Sequence, residues 1–330
     1  MRIVDLGIKT CFATVLIYRG LHMRAQYRIR SRAICDYLGG VHVAKKKDRR
    51  DRDDGIFVEE LNDFNRFIPF ITPSRIERQV YGTISIDATN LLAYIAEKKT
   101  AEDNVVSLYT AIVAALVRMI AIKPRMNRFV KGYRTYQREK IEVGHIAMAS
   151  MDEDSVRMIH KTSFEPGADI FDVSKGMIRD IKEMKNGDAF GSNRFISKFG
   201  RGPRFYAKSM CCLSDFMDRH GRPPKAYMET DPFHSSVFVS NLGSIKCIPP
   251  LHHLSEYGTN SFFVSIGPVE DRPAVVDGEI VVRPFIDLVL TLDDAIADGF
   301  YFSNAIRTLR ELLDDPFVLE ERYLPQDDSR

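Results

Sequence analysis

The chain has 330 residues, of which 45% are hydrophobic, and this is enough for one large domain or two small ones. Its formal net charge is +2, but residues 1–50 carry 12 Lys and Arg against 3 Asp, so residues 51–330 are net −7. This mildly acidic body argues against a nucleic-acid partner. No apolar run of about 20 residues occurs, so no transmembrane helix is expected.

The cysteines do not form a recognisable metal or redox motif. There are five of them, an odd number, and no two have CxxC spacing. We therefore expect free thiols in a reduced, cytoplasmic protein. The five are Cys11, Cys35, Cys211, Cys212 and Cys247.

The first fifty residues admit three interpretations. Residues 9–20 resemble a signal peptide, but their apolar core is only about eight residues long and no clear cleavage site follows. The charged runs at 24–32 and 45–52 are typical of a disordered basic tail. Val43 also fits an alternative start, which would make 1–42 upstream sequence and dispensable for folding. Residues 1–50 are therefore left out of the predicted fold.

The body begins with a strand followed by two helices. Residues 79–87 alternate in polarity, with Val80, Gly82, Ile84 and Ile86 on one face, and residues 88–99 then take helical spacing. A second helix is predicted after Ser107, a plausible N-cap, and before Pro124. It is apolar nearly all round, so we expect it to be deeply buried.

The rest of the body alternates strands and helices without a linker. Residues 128–164 predict several strands with turns near Gly132 and 152–154, and Asp169 opens a helix. Strands are predicted at 235–245, 260–269 and 279–292, and a final helix carries an apolar stripe from Phe302 to Leu313. One mixed α/β domain over residues 51–325 fits this pattern best.

Residues 187–234 interrupt this alternation and are rich in Gly, Arg, Phe and Met. We expect an insertion with one or two amphipathic helices. It either packs on the core as an ordinary surface excursion, caps a substrate channel, or touches a partner or a membrane surface. Within it, METDP (228–232) has Pro232 where a lipoyl attachment sequence has its lysine, so no lipoyl attachment site is expected.

An ordered set of segments resembles a known family. VFVSNLG (237–243), NSFFVSIG (260–267), LVLTLDDAIADG (288–299) and the helix that follows resemble the catalytic domain of the dihydrolipoyl acyltransferases of 2-oxo-acid dehydrogenase complexes. They also resemble chloramphenicol acetyltransferase, which shares that fold. KPRMN (123–127) and IEVGHIAMA (141–149) match the same family upstream, so the resemblance covers about residues 56–320.

The resemblance implies an architecture and a co-substrate. The fold would be α/β (α+β), a chloramphenicol acetyltransferase-like two-layer sandwich with a mixed β-sheet. The family assembles as homotrimers with active sites in channels between subunits, and it uses coenzyme A or acyl-CoA with a small-molecule acceptor. The lipoyl and peripheral-subunit-binding segments that precede this domain in complex-forming enzymes do not occur here, so we expect a stand-alone member.

The family's catalytic motif is altered in this sequence. The motif is His-x-x-x-Asp-Gly, and its histidine takes a proton from an acceptor hydroxyl or thiol that then attacks the thioester. A serine in the equivalent of VSNLG hydrogen-bonds the oxyanion. Asp298, Gly299 and Ser240 match these positions, but Asp294 stands where the histidine should be.

A carboxylate is a weaker base than imidazole. Its ordinary pKa is about 3.9 against about 6.5 for histidine, and this difference implies a rate lower on the order of tenfold. Burial would raise the pKa of Asp294 and recover part of that loss. Aspartate is also shorter than histidine, and its protonated form is neutral, so it gives the oxyanion no cationic stabilisation.

Each candidate residue also has a structural explanation. Asp294 fits a strand-end turn residue that accepts hydrogen bonds from local backbone amides, and Asp298 fits the N-cap of the final helix. The hydroxyl of Ser240 would satisfy a strand-end amide. His253, or His234, would replace the missing base only if it lay within hydrogen-bond reach of the acceptor.

Two hypotheses of function follow. The first is a coenzyme A-dependent acyltransferase that acts on a small thiol or hydroxyl acceptor, with Asp294 in the place of the base. The second is a catalytically inactive trimer that binds acyl-CoA or acts as a scaffold. The retained Ser240 and Asp298 favour the enzyme, and the missing histidine favours the inactive protein.

Overall fold

The computed structural model describes residues 48–99, 106–148, 157–185, 203–223 and 228–324. The expectations for residues 1–47 and for a turn at 152–154 lie outside the described residues. The described residues from Asp48 onward belong to one compact unit. None of the helices in these ranges is both long and apolar enough to cross a membrane.

The described elements from residue 79 onward follow the predicted order, and they are preceded by a short strand and a helix that the sequence pattern did not predict. The helices are α1 (Asp63–Ile71), α2 (Thr89–Lys99), α3 (Leu108–Ile122), α4 (Ile170–Lys185), α5 (Arg204–Arg219) and α6 (Gly299–Asp314). The strands are β1 (Ile56–Phe57), β2 (Gln79–Asp87), β3 (Arg128–Lys131), β4 (Arg134–Gln137), β5 (Ile141–Met148), β6 (Arg157–Phe164), β7 (Val237–Asn241), β8 (Phe262–Val276) and β9 (Glu279–Asp293).

The main sheet has six strands in the order β2-β9-β8-β7-β5-β6. β7 is parallel to both β5 and β8, and the other neighbouring pairs are antiparallel. A smaller sheet has the order β1-β4-β3. The core joins apolar residues of the main sheet to those of α2, α3, α4 and α6. The prediction of a two-layer α/β sandwich with a mixed sheet is confirmed.

Local sequence accounts for where the helices begin. Ser107 caps α3 in a reciprocal capping box with Thr110, and α3 is buried from residue 110 to residue 120, as its apolar sequence predicts. The Asp169 carboxylate accepts hydrogen bonds from the amides of Phe171 and Asp172 at the start of α4. The predicted strand face of β2 holds for Ile84 and Ile86, which are buried.

The first half of β2 departs from that pattern. Val80 is 44% exposed, although the alternation places it on the same face as Ile84. β2 lies at the edge of the sheet, and Val80 pairs with Leu292 near the end of β9. The side chain therefore stands beyond the part of the sheet that the helices cover.

A buried ionic network ties α5 to the rest of the unit. The Asp218 carboxylate lies 2.6 Å from Arg52 Nη2 and 2.9 Å from Lys131 Nζ. His234 is also buried and lies between two acids, with Nδ1 2.7 Å from Asp231 and Nε2 3.4 Å from Asp218. Burial alone would lower the pKa of His234, but the hydrogen bonds to Asp218 and Asp231 outweigh it and raise that pKa.

The variant His234→Gln tests this network, since glutamine keeps hydrogen bonding but loses the charge. We expect it to lower the free energy of unfolding by about 3 kcal/mol, because two buried carboxylates lose a cationic partner. The pKa of His234 is raised on folding, so its stabilisation is present below about pH 6.5 and is lost as the pH rises through the folded-state pKa.

Urea unfolding between about pH 5.5 and pH 9 measures the difference between wild type and variant. That difference should shrink as the pH rises. His253→Gln, at an exposed position, serves as the matched control and should leave the profile unchanged. A loss of stability that is the same at every pH would contradict a charged His234.

Candidate active site

The acidic turn after β9 begins with a carboxylate that is fully buried. Asp293 is completely shielded from solvent at the end of a strand of apolar residues. Its two oxygens pair with Arg78, at 2.9 Å from Nε and 3.1 Å from Nη2. The Asp293 Oδ1 atom also accepts a hydrogen bond of 3.1 Å from the amide of Ala295. Asp293 therefore holds the turn in place, and its negative charge is paired.

A second buried arginine supports the same turn. Arg75 is buried, and its Nε lies 3.7 Å from Asp293 Oδ2. Its terminal nitrogens donate to the carbonyls of Ser255, Asn260 and Gly258. The start of β2 and the 255–260 loop are thus fixed around the turn.

Asp294 differs from Asp293 in having no structural task for its side chain. Its amide donates to the carbonyl of Arg78 at 2.9 Å. Its half-buried carboxylate has no hydrogen bond or ion pair with any residue in the described ranges. The explanation of Asp294 as a local amide acceptor is wrong, since Asp293 fills that role.

The surroundings of Asp294 favour its protonated form. Burial raises the pKa of the Asp294 carboxyl group, and the negative charges of Asp293 and Asp298 raise it further. A carboxylate of raised pKa with an unused proton-accepting oxygen can act as a general base toward a bound acceptor.

Asp298 has the structural role that its sequence position predicts. Its Oδ1 accepts a 2.9 Å hydrogen bond from the amide of Tyr301 and so caps α6. Its other oxygen lies 3.9 Å from Arg125 Nη1. Arg125 in turn lies over the ring of Tyr301, 5.1 Å from its centre. Asp298 thus anchors the far end of the turn that carries Asp294.

Ser240 lies near the end of β7 and is half-buried. No described residue forms a side-chain hydrogen bond with its hydroxyl, whereas nearby Ser244 donates to the carbonyl of Asn241 at 3.0 Å. The turn that follows is tight, since a Cβ on Gly243 would come within 2.5 Å of the Gly267 oxygen. The Ser240 hydroxyl is therefore free to donate to an oxyanion.

One chain does not bring Ser240 and Asp294 together. Ser240 pairs with Ser265, which pairs with Val289 of β9. Asp294 follows Val289 by five residues, and two strand spacings separate β7 from β9. The register therefore separates Ser240 from Asp294 by roughly 20 Å. Both belong to one reaction centre only if each faces a complementary group on another copy.

The histidines of the 250–254 segment lie at the Asp294 end of the sheet. The Thr291 hydroxyl donates to the carbonyl of His252 at 2.6 Å, and the amide of Leu254 donates to the side chain of Gln79. The ring of His252 stacks on Phe263 at 4.0 Å.

His253 is exposed, and no hydrogen bond or ion pair joins it to Asp294 in the described structure. A catalytic role for His253 stays a prediction.

His234 is unsuited to replace the missing base. Both of its ring nitrogens are within reach of carboxylates, and burial holds the ring inside the ionic network around Asp218. A proton acceptor needs a free nitrogen that faces the acceptor group.

Arg75 and Arg78 were missed at the level of sequence. A signal for them exists, because an aspartate at the end of an apolar strand is buried and a buried carboxylate needs a cation. The segment TPSRIER (72–78) supplies two arginines directly before β2. What the sequence lacks is the register that pairs Gln79 with Asp293 and so brings Arg78 beside it.

Comparison with known proteins supports the resemblance that the motifs carry. No protein-family model matches the chain. Over 245 residues the chain is 25% identical to the dihydrolipoyllysine-residue acetyltransferase component of the pyruvate dehydrogenase complex of Bacillus subtilis, covering 71% of this chain and 44% of that protein. A 48-residue segment is 42% identical to the mitochondrial dihydrolipoyllysine-residue succinyltransferase component of the 2-oxoglutarate dehydrogenase complex of Saccharomyces cerevisiae, covering 14% of this chain and 10% of that protein.

The fold is shared with a solved structure. A probable dihydrolipoamide acetyltransferase from Listeria monocytogenes superposes with a TM-score of 0.51 at 16% identity, covering 81% of this chain and 97% of that one. The chain spans less than half the length of the curated relatives it matches. In sequence and in fold, this chain resembles the acyltransferase catalytic domain of 2-oxo-acid dehydrogenase complexes. The order of its motifs predicted this resemblance.

Proposed function

We propose that this protein transfers an acyl group from coenzyme A to a small thiol or hydroxyl acceptor. Asp294 acts as the general base, and Ser240 of a neighbouring copy donates a hydrogen bond to the oxyanion. The observation that carries the proposal is the Asp294 carboxylate, which has a raised pKa and no structural partner among the described residues. The resemblance to dihydrolipoyllysine-residue acyltransferases supports the reaction class.

The proposed reaction needs one proton acceptor and one oxyanion donor. Asp294 removes the proton from the acceptor, whose oxygen or sulfur attacks the carbonyl carbon of the acyl thioester. The Ser240 hydroxyl hydrogen-bonds the oxygen that becomes negative in the tetrahedral intermediate. The intermediate collapses with loss of the coenzyme A thiolate, and this sulfur takes the proton back from Asp294.

The raised pKa of Asp294 is what allows an aspartate to act as the general base. An ordinary carboxylate, with a pKa of about 3.9, has little driving force for removing a proton from a thiol or hydroxyl. Burial and the negative charges of Asp293 and Asp298 move the pKa of Asp294 upward, which makes its carboxylate a stronger base. Arg78 neutralises Asp293 by a bidentate pair, which limits repulsion between the turn and the oxyanion.

The proposal requires an oligomer, since Ser240 and Asp294 lie at separate positions on one chain. A homotrimer with sites between subunits fits the family. Exposed apolar residues near the Asp294 end of the sheet support an interface there. They are Ile76, Val80 and Tyr81.

The second candidate function is a non-catalytic trimer that binds acyl-CoA or acts as a scaffold. The observation in its favour is the negative neighbourhood of Asp294, in which Asp293 and Asp298 are the charges that act on it. A protonated aspartate is neutral and offers the oxyanion no positive charge. Activity measurements on variants separate the two candidates.

The first test replaces each proposed catalytic group. Asp294→Asn keeps the size but cannot take a proton, and we expect it to lower the release of coenzyme A from acetyl-CoA, with a panel of thiols and alcohols, by at least about a hundredfold. Ser240→Ala should lower it by roughly a hundredfold through loss of the oxyanion donor. Asp293→Asn is the control for charge, and it should lower the melting temperature, unlike Asp294→Asn.

The dependence of the rate on pH gives a second test of Asp294 as the base. The base form is the carboxylate, so the wild-type rate should rise with pH through the raised pKa of Asp294 and should level off above it. If the wild type releases no coenzyme A while Asp294→His does, the site is intact but inactive in nature. If no variant has activity and calorimetry shows no binding of coenzyme A, the scaffold candidate stands.

Mixing two inactive variants tests the shared site. Subunits of Asp294→Asn and Ser240→Ala, co-expressed with different tags, should form hybrid trimers in which about one quarter of the interfaces pair an intact Asp294 with an intact Ser240. We expect about one quarter of the wild-type rate, although neither variant alone is active. Hybrids that stay inactive, or light scattering that shows a monomer, would exclude a site between subunits.

A further inference from the structure

The α5 helix has an apolar face that the described residues leave exposed. Phe205 is 74% exposed and Phe216 is 59% exposed. Leu213 and Cys212 are also exposed and lie between them on the same face, since these positions recur at the spacing of helical turns. This face belongs to the predicted insertion 187–234, and the proposed acyl transfer does not use it.

Both acids of α5 are neutralised by neighbouring cations. The buried Asp218 pairs with Arg52 at 2.6 Å, and Asp215, whose side chain is 32% exposed, pairs with Lys131 at 2.9 Å and with Arg219 at 2.7 Å. Arg204 and Lys208 are exposed, and no carboxylate of the described residues pairs with either. The exposed surface of α5 therefore presents aromatic rings and positive charge, whereas its negative charges are neutralised in ion pairs.

A second aromatic row continues from the end of α5. Phe64, Phe67 and Phe70 are exposed on α1, and the ring of Phe70 stacks on Tyr133 at 5.1 Å. The turn that holds Tyr133 touches α5, since a Cβ on Gly132 would come within 2.3 Å of the Arg219 carbonyl oxygen. The apolar surfaces of α1 and α5 are thus joined through this turn.

We infer that the outer face of α5 binds the surface of an anionic membrane. Aromatic residues are favoured at the level of lipid headgroups, and an amphipathic helix with a basic flank lies in the plane of the interface. Arg204 and Lys208, which have no carboxylate partner among the described residues, are complementary to acidic headgroups, and the ion pairs of Asp215 and Asp218 neutralise the charges that would repel them. This binding is peripheral and is independent of the proposed acyl transfer.

A single tryptophan makes the binding measurable, because the chain contains none. Phe216→Trp in the full chain should show a blue shift of its emission on addition of vesicles of phosphatidylcholine with about 30% phosphatidylserine. The shift should be weaker with phosphatidylcholine alone and should be reversed by salt. Ile280→Trp, at an exposed position on the β8–β9 hairpin, is the matched control and should not shift.

Variants separate the contributions of charge and apolar surface. Arg204→Gln with Lys208→Gln should lower the partition coefficient on anionic vesicles by roughly 25-fold, about fivefold for each charge removed. Phe205→Ser with Leu213→Ser should abolish the shift on all vesicles, whereas Val275→Ser with Val282→Ser on the hairpin should not change it. Circular dichroism and the melting temperature verify that each variant is folded.

Three results would overturn the inference. The first is an emission of Phe216→Trp that does not respond to anionic vesicles, with no protein in the vesicle pellet. The second is a blue shift without vesicles that grows with protein concentration, which would mean that the face binds a second copy. The third is binding that persists in Phe205→Ser with Leu213→Ser, which would place the membrane contact elsewhere.

Discussion

The buried pair of Arg78 and Asp293 is the interaction on which the candidate site depends. Asp293 has no exposure to solvent, so its charge would be unfavourable by several kcal/mol without a cation. The bidentate geometry of Arg78 satisfies both oxygens and ties the start of β2 to the end of β9. The backbone carbonyl of Arg78 also accepts a hydrogen bond from the amide of Asp294. Arg78 therefore fixes both the end of β9 and the direction of the turn that follows.

The three acids of this turn have three different environments. Asp293 is paired inside the protein, and Asp298 caps α6 through the amide of Tyr301. Asp294 lies between them with no partner among the described residues, and their charges contribute to raising its pKa. Aspartate is a shorter side chain and a weaker base than the histidine of the motif that this turn resembles, but the turn that positions Asp294 also increases its basicity.

The sequence predicts those features that depend on neighbours along the chain. The caps at Ser107 and Asp298 and the apolar run of α3 are of this kind, and the structure contains each of them. The roles of Asp293 and His234 depend on partners remote in sequence or on burial, and no local pattern reveals them. Arg78 precedes Asp293 by more than 200 residues, and only the pairing of β2 with β9 brings them together. The amphipathicity of α5 is visible in its sequence, but the neutralisation of its acids depends on Lys131 and Arg52, which are remote in sequence.

The networks that hold the acidic turn and α5 meet at one carbonyl. The oxygen of Gly258 accepts from Arg75 at 3.2 Å and from Lys131 at 3.4 Å. Arg75 leads to Asp293, and Lys131 leads to Asp218 of α5. Gly258 has a φ of +83°, and a Cβ there would come within 2.3 Å of the Phe233 oxygen, so its glycine is required. The acidic turn and the proposed membrane face are therefore built on one scaffold, and a side chain at Gly258 would strain both, whereas Asp293 and Asp218 are each part of only one.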